Sequence, residues 1–159
     1  MPRRSPTQMT ALLWAAGSAI LMIVGAIGPW LQALSGVVSV SGLDGDNDGW
    51  IVVVVGAAGL LIFCAVALGA SHRIAWLLPL IGLIGVVVTA VDRRDVAERD
   101  QGGVGITDIF SGTPSTPDLD ITVGWGLNLA MGASFSLLLA SVVLLLTADK
   151  GDRPLKPLA

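Results

Sequence analysis

Four uncharged apolar runs constrain this chain more than any other feature. They extend from Met9 to Trp30, Ile51 to Ala70, Ile74 to Val91 and Val123 to Thr147, and none contains Asp, Glu, Lys or Arg. An α-helix rises about 1.5 Å per residue, so about 20 apolar residues cross the ~30 Å hydrocarbon core of a bilayer. A charge at the centre of a span costs at least about 2.5 kcal/mol on insertion scales, and all four runs avoid it. The β-branched stretch Ile51–Val55 has strand character, but its continuation through Gly56 to Ala70 is too long for a buried strand. Lipid admits only helices and closed barrels, whose backbones satisfy their own hydrogen bonds. Runs of this length fit helices. The expected fold class is an all-α membrane protein, a four-transmembrane-helix bundle over residues 9–148, between an N-terminus (1–8) and a tail (149–159) on the cytoplasmic side.

Composition agrees. Of 159 residues, 53% are apolar and 13% charged, against about a quarter charged in a soluble domain. So short a chain has too little interior to hide that much apolar surface from water. The 20 glycines sit mostly inside the apolar runs, where small residues let membrane helices approach closely. Cys64 is the single cysteine, so an intramolecular disulfide and a cysteine metal cluster are excluded. A net charge of −3 gives no reason to expect nucleic acid. Arg3 and Arg4 ahead of Ala11–Ile27 resemble a signal sequence. That core is long, however, and no clean small-x-small cleavage site follows it, so the first span is expected to be retained.

Charge gives the chain two sides. The termini and the short turn between spans two and three carry Arg3, Arg4, Arg73, Lys150, Arg153 and Lys156 against Asp149 and Asp152, a net +4. The two longer loops, 31–50 and 92–122, carry Asp44, Asp46, Asp48, Asp92, Asp95, Glu98, Asp100, Asp108, Asp118 and Asp120 against Arg93, Arg94 and Arg99, a net −7. Positive charge in short loops favours the cytoplasm. Both termini are therefore expected inside, in the plasma membrane. Trp30, Trp50 and Trp125 fall at the outer ends of spans, and Trp14 and Trp76 near the inner ends, as interfacial indoles prefer.

Helix contacts are expected at closely spaced small residues: Gly25/Gly28, Gly56/Gly59, Ala65/Gly69, Gly85/Thr89, Ala130/Ser134 and Ser136/Ala140. Pro79, one turn into span three, is expected to be tolerated there rather than to act as a hinge. Outside the spans, Val37–Ser41 is β-branched and partly alternating, and Gly42–Gly49 has turn chemistry. Asp92–Gln101 extends span three as a helix. Val104–Thr107 and Leu119–Val123 are candidate strands around a Ser111–Pro117 turn. Together these predict a small extracellular β-rich cap joining the two loops. The entries Gly49-Trp50 and Gly124-Trp125 repeat between the two halves of the chain.

One motif carries metal chemistry. Asp44-Gly45-Asp46-Asn47-Asp48-Gly49 matches the opening of a calcium loop, D-x-D-x-D-G. Alternate carboxylates in a tight turn converge on a hard cation, the glycine permits the bend, and Trp50 would add a carbonyl. The closing bidentate Glu is missing: position twelve is Val55. Further ligands would have to come from Asp108, Asp118 or Asp120, and affinity would be weak. The other interpretation is an acidic, solvated turn in which Asp48 caps the second helix.

The strings Gly28-Pro29-Trp30, Val38-Ser39-Val40-Ser41-Gly42-Leu43-Asp44-Gly45-Asp46 and Asp48-Gly49-Trp50 resemble a group of uncharacterised four-span membrane proteins of actinobacteria. In these a Pro-Trp ends the first span and a Gly-Asp-Gly turn precedes the second. The likeness covers the first half; the second matches in layout through Gly124-Trp125-Gly126-Leu127. It implies a plasma-membrane tetraspan without an assigned activity. The layout is also similar to claudin-like tetraspans, but their paired loop-one cysteines are absent, which leaves an analogy.

No catalytic set accompanies these features. The single histidine, His72, lies beside Arg73 on the short turn, Cys64 has no nearby base, and no phosphate loop occurs. The expected function is therefore non-enzymatic: an accessory, scaffold or envelope interaction protein presenting an acidic outer cap. Its expected contacts are membrane lipid and a protein partner or second copy, with calcium the one candidate cofactor. The alternative is a component of a small oligomeric channel or transporter. Its polar lining would be Asn128 with Ser18, Thr89, Ser134, Ser136 and Ser141.

Overall fold

The computed structural model describes residues 5–33, 36–44, 48–70, 72–101 and 121–148. Several expected features lie outside the described residues: the Val104–Thr107 strand, the Ser111–Pro117 turn, Asp46, Asp108, Asp118, Asp120, and the basic residues Arg3, Arg4, Lys150, Arg153 and Lys156. Within them the chain is mostly helical. Four helices are long and apolar enough to cross a membrane, and a three-stranded sheet joins their loops.

Helix α1 (Pro6–Ile27) starts ahead of its apolar run because the preceding residues form a capping box. The Gln8 backbone N–H donates to Ser5 Oγ at 3.3 Å, and the Ser5 N–H donates to Gln8 Oε1 at 3.2 Å. Pro6 occupies the first turn, where its missing N–H costs nothing. The helix stops at Ile27, short of the expected Trp30. Proline disfavours helical geometry in the residue before it, and Gly28 is accordingly extended, with φ −68° and ψ 169°. The chain then enters β1 (Pro29–Ala33), a strand that was not expected, and returns as β2 (Val38–Ser41).

Helix α2 (Gly49–Ala67) ends in a Schellman motif. The Ala70 N–H reaches Ala65 O at 2.9 Å, and the Gly69 N–H reaches Val66 O at 3.1 Å. Gly69 adopts the left-handed φ of +98° that this motif requires. It therefore terminates α2 rather than packing with Ala65, and a Cβ there would meet open space. A 3-10 turn, His72–Trp76, leads into α3 (Leu77–Gln101). Pro79 lies in the first turn of α3, where its N–H would have pointed back into the 3-10 turn, so no α-helical bond is lost. As expected, α3 continues through the charged stretch to Gln101. The strand β3 (Ile121–Val123) precedes α4 (Trp125–Ala148).

The helices close a ring of neighbours. α1 meets α4 over the largest interface, α3 meets α4, α1 meets α2, and α2 meets α3 most lightly. The ends of α1 and α3 and the starts of α2 and α4 all lie at the sheet, so consecutive helices run antiparallel. Small residues set the closest approaches, as expected for Gly25/Gly28 and Gly56/Gly59. A Cβ built on Gly25 would lie 2.5 Å from the Ala130 backbone nitrogen, and one on Gly126 would lie 2.7 Å from the Gly25 carbonyl oxygen. Between α3 and α4, a Cβ on Gly82 would lie 2.8 Å from the Leu138 nitrogen. Between α1 and α2 the contact is softer, with Gly56 facing the Ile23 side chain. Leu12, Met22, Leu78, Leu127 and Leu137 fill the interior.

Outside that interior the surface is apolar. α2 is the most apolar of the four helices, yet only 22% of its span is buried, against 50% for α1. Leu61 and Leu68 stand 71% and 85% exposed.

These approaches separate two glycine classes. Replacing Gly25 with Ala is expected to cost about 1–3 kcal/mol, because the obstructing atoms are backbone. Gly17→Ala, with nothing within 4 Å, is expected to be neutral or to gain up to about 1 kcal/mol of helix propensity. Thermal unfolding of the two variants in detergent micelles measures the contrast.

Candidate functional site at the sheet-capped end

The sheet has the order β2-β1-β3, antiparallel throughout. β1 pairs with β2 through Leu31↔Val40, Gln32↔Ser39 and Ala33↔Val38, and with β3 through Leu31↔Val123, Gln32↔Thr122 and Ala33↔Ile121. The expected strands at Val37–Ser41 and Leu119–Val123 are thus present in part. What joins them is the unexpected β1, which continues directly from the first helix.

A bulge in β1 decides how the sheet seats on the bundle. The β2 register shifts between Pro29 and Leu31, which leaves Trp30 as the extra residue. Bulges re-aim side chains, and this one turns Trp30 into the bundle, where it is 1% exposed. Its indole Nε1–H donates to the Gly25 carbonyl at 3.0 Å. Gly25 belongs to the last turn of α1, whose carbonyls have no intrahelical donor. Pro29, four residues on, has no N–H to offer. The indole therefore satisfies an acceptor that the Pro29 corner leaves open. Trp30 is a core residue, which corrects its expected place in an interfacial belt; Trp14, Trp50, Trp76 and Trp125 remain largely exposed.

Neighbouring glycines close over this indole. A Cβ on Gly42 would run into the Trp30 ring, and one on Gly124 into the Pro29 carbonyl. The Gly42 N–H donates to Gly28 O at 3.2 Å, the Gly49 N–H to Gly42 O at 3.1 Å, and the Gly124 N–H to Trp30 O at 2.8 Å. The two Gly-Trp entries therefore share one device: the glycine N–H docks on a carbonyl of the cap, and the following Trp starts a helix on its exposed side.

The acidic turn leaves β2 at the rim of this cap. The Ser41 N–H donates to Asp44 Oδ2 at 3.1 Å, the Asp44 N–H donates to Ser41 O at 3.2 Å, and the Leu43 N–H donates to Ser41 Oγ at 3.1 Å. Asp44 is exposed, with one carboxylate oxygen committed to its own turn. Asp48 occupies the N-cap position of α2, but its side chain makes no capping hydrogen bond; its carbonyl starts the helix instead. Trp50 lies in the first turn of α2, 60% exposed. Of the four candidate calcium ligands, Asp44, Asp48 and Trp50 are thus located and Asp46 lies outside the described residues. Among the described residues, no three His, Cys, Asp or Glu side chains come together as a metal set.

Inside the bundle the polar side chains are occupied. Ser134 Oγ donates to Ala130 O at 2.8 Å, Thr89 Oγ1 to Gly85 O at 2.8 Å and Ser141 Oγ to Leu138 O at 2.7 Å. Ser136 joins α1 and α4: it accepts from Trp14 Nε1 at 2.7 Å and from Ser18 Oγ at 2.9 Å. This cluster was not expected, since Trp14 reads from sequence as an interfacial residue. A further tie runs from Gln8 Nε2 to Thr147 O at 3.4 Å.

No protein-family model matches the chain, and no curated protein or solved structure is significantly similar to it. The geometry of the cap and the bundle is what bears on function.

The role of Trp30 has a direct test. Trp30→Phe keeps an aromatic side chain but is smaller than the indole and strands the Gly25 carbonyl, and is expected to cost about 1–3 kcal/mol. Trp30→Ala also opens a cavity and is expected to cost about 3–5 kcal/mol. Denaturant unfolding in mild detergent, followed by circular dichroism, reads both. Equal stability of Trp30→Phe and the parent would refute the hydrogen bond's role.

Proposed function

We propose that the chain is a multi-pass plasma-membrane protein of four spans, with both termini cytoplasmic and the sheet outside. In this proposal it acts without catalysis, as an accessory, scaffold or envelope interaction protein through its acidic cap. One observation carries the membrane half: the most apolar helix is the least buried. In water that pattern would leave a large apolar patch exposed; in lipid it is the expected solvent-facing surface. Charge supports the orientation, with net −7 in the loops at the sheet end and net +4 at the other end and in the termini.

The interaction half rests on the contrast between bundle and cap. Fully buried Leu12, Met22, Leu78 and Leu137 fill the middle of the bundle, and its serines and threonines are spent on their own helices or on each other. This favours a packed support over a single-chain pore. The cap displays Val37, 83% exposed, at the opposite end of β2 from its acidic turn. The buried Pro29–Trp30 corner also gives a physical reason for the Pro-Trp pattern shared with four-span actinobacterial proteins, and we propose kinship on that basis.

Cys64 provides the topology test, since it is the single cysteine and is exposed on the outside of the bundle. Cys64 lies in the last turn of α2, at the end away from the sheet, which in this proposal faces the cytoplasm and is out of reach of a reagent added outside. Cys64 is expected to resist a membrane-impermeant maleimide in intact cells, while Val37→Cys in a Cys64→Ala background labels from outside. Ready labelling of Cys64 would overturn the membrane reading. For function, a photo-crosslinker at Val37 is expected to give one defined adduct; a lone monomer that carries ion flux in liposomes would favour the channel alternative instead.

A further inference from the structure

Arg93 points the wrong way for an arginine that merely escapes lipid. It lies on the exposed face of α3, eight residues beyond Gly85, which packs against Ser134 of α4. Side chains on a helix tilt toward its N-terminus. For α3 that is away from the sheet and toward the middle of the bundle. Arg93 follows the tilt: its Nη1 lies 4.0 Å from Met131 Sδ, across the α3–α4 groove. A thioether is a weak acceptor. Among the described residues the guanidinium has no other polar contact. A long basic side chain near a span end ordinarily reaches outward to water; this one reaches inward.

The groove around it has the chemistry of an amphiphile. The Met131 side chain tilts toward the start of α4, so the two meet about one turn inside that helix, roughly 5 Å along its axis. Asn128 is at that level on the exposed face of α4; one amide N–H is spent on Gly124 O at 3.3 Å, leaving a second donor. Trp125, 52% exposed, stands one turn above as an interfacial ring. One turn below, Gly132 leaves open space, with nothing within 4 Å of a Cβ, and Phe135 is half exposed beneath it. Donors for an oxyanion therefore sit above an open apolar stretch of the helix surface.

We infer that Arg93 and Asn128 bind the phosphodiester of an anionic outer-leaflet phospholipid, with an acyl chain lying along Gly132 and Phe135. Guanidinium is the better phosphate ligand of the two basic side chains, because its planar fork donates two parallel hydrogen bonds. The inference rests on the membrane reading above and adds a ligand class to it.

Native mass spectrometry of the full chain, titrated with phosphatidylglycerol in mild detergent, tests it. Arg93→Gln is expected to lower the affinity of the retained lipid about tenfold, with Arg93→Lys between it and the parent. Gly132→Leu fills the open space beside Phe135 without touching charge and is expected to lower retention as well. Glycerol phosphate at matched concentration is expected not to compete; competition would mean a free-phosphate site and overturn the lipid assignment. Unchanged phosphatidylglycerol retention by both Arg93→Gln and Gly132→Leu would overturn it too. Flotation of the parent protein with liposomes separates the two levels. Failure to float sinks the membrane reading and this site with it, whereas flotation with unchanged retention sinks only the site.

Discussion

The close approach of α1 to α4 sets the terms for the rest of the molecule. Gly25 in the last turn of α1 and Gly28 just beyond it meet Gly126 and Ala130 of α4 with no room for an added side chain between them. In the proposed membrane setting, burying apolar surface would not drive helices together, and dispersion across such a contact with interhelical hydrogen bonds would hold them. Both occur along this one interface. Backbones touch at the sheet end, and Trp14, Ser18 and Ser136 form a hydrogen-bonded cluster nearer the middle. The same approach brings Gly124 to the Trp30 carbonyl. The cap is therefore a consequence of helix packing rather than an independent domain set on top of it.

Much of this was legible in the sequence because lipid-compatible helices announce themselves by length and lack of charge. The four helices, the helical extension through Asp92–Gln101, the strand at Val38–Ser41 and the contact glycines all followed from such local patterns. What was missed depended on partners distant in the chain. β1 looks like the tail of an apolar helix until the effect of Pro29 on Gly28 is taken into account. Trp30 carries the composition of an interfacial residue, and only the bulge turns it inward. The Ser5–Gln8 capping box has a legible spacing but lies ahead of the apolar run, where hydropathy gives no sign of a helix. Gly69 illustrates the converse: a small-xxx-small spacing matched, but the residue was serving a helix terminus.

The candidate site divides similarly. The Asp44–Asp48 spacing is local and visible, and Asp44 does organise its turn. Whether side chains from both loops converge is a question of tertiary placement, on which spacing is silent. The Arg93 groove has no sequence signature at all. It arises because one helix runs past its apolar stretch as a continuous element beside an antiparallel neighbour whose exposed face carries an amide and a gap.

The order of strands gives the cap a place in time. β2 follows β1 by only a few residues, but β3 comes from residues 121–123, almost at the start of the last helix. β1 lies between them and cannot be fully paired until that distant segment arrives. Local pairings form early in folding and distant ones late. During synthesis the edge of β1 thus stays open while the second and third helices are made, and it closes only when α4 is in position beside α1. The finished sheet is in effect a seal that forms once all four helices have assembled, and a truncated or misassembled chain would display an unpaired strand edge, the feature that invites aggregation and clearance.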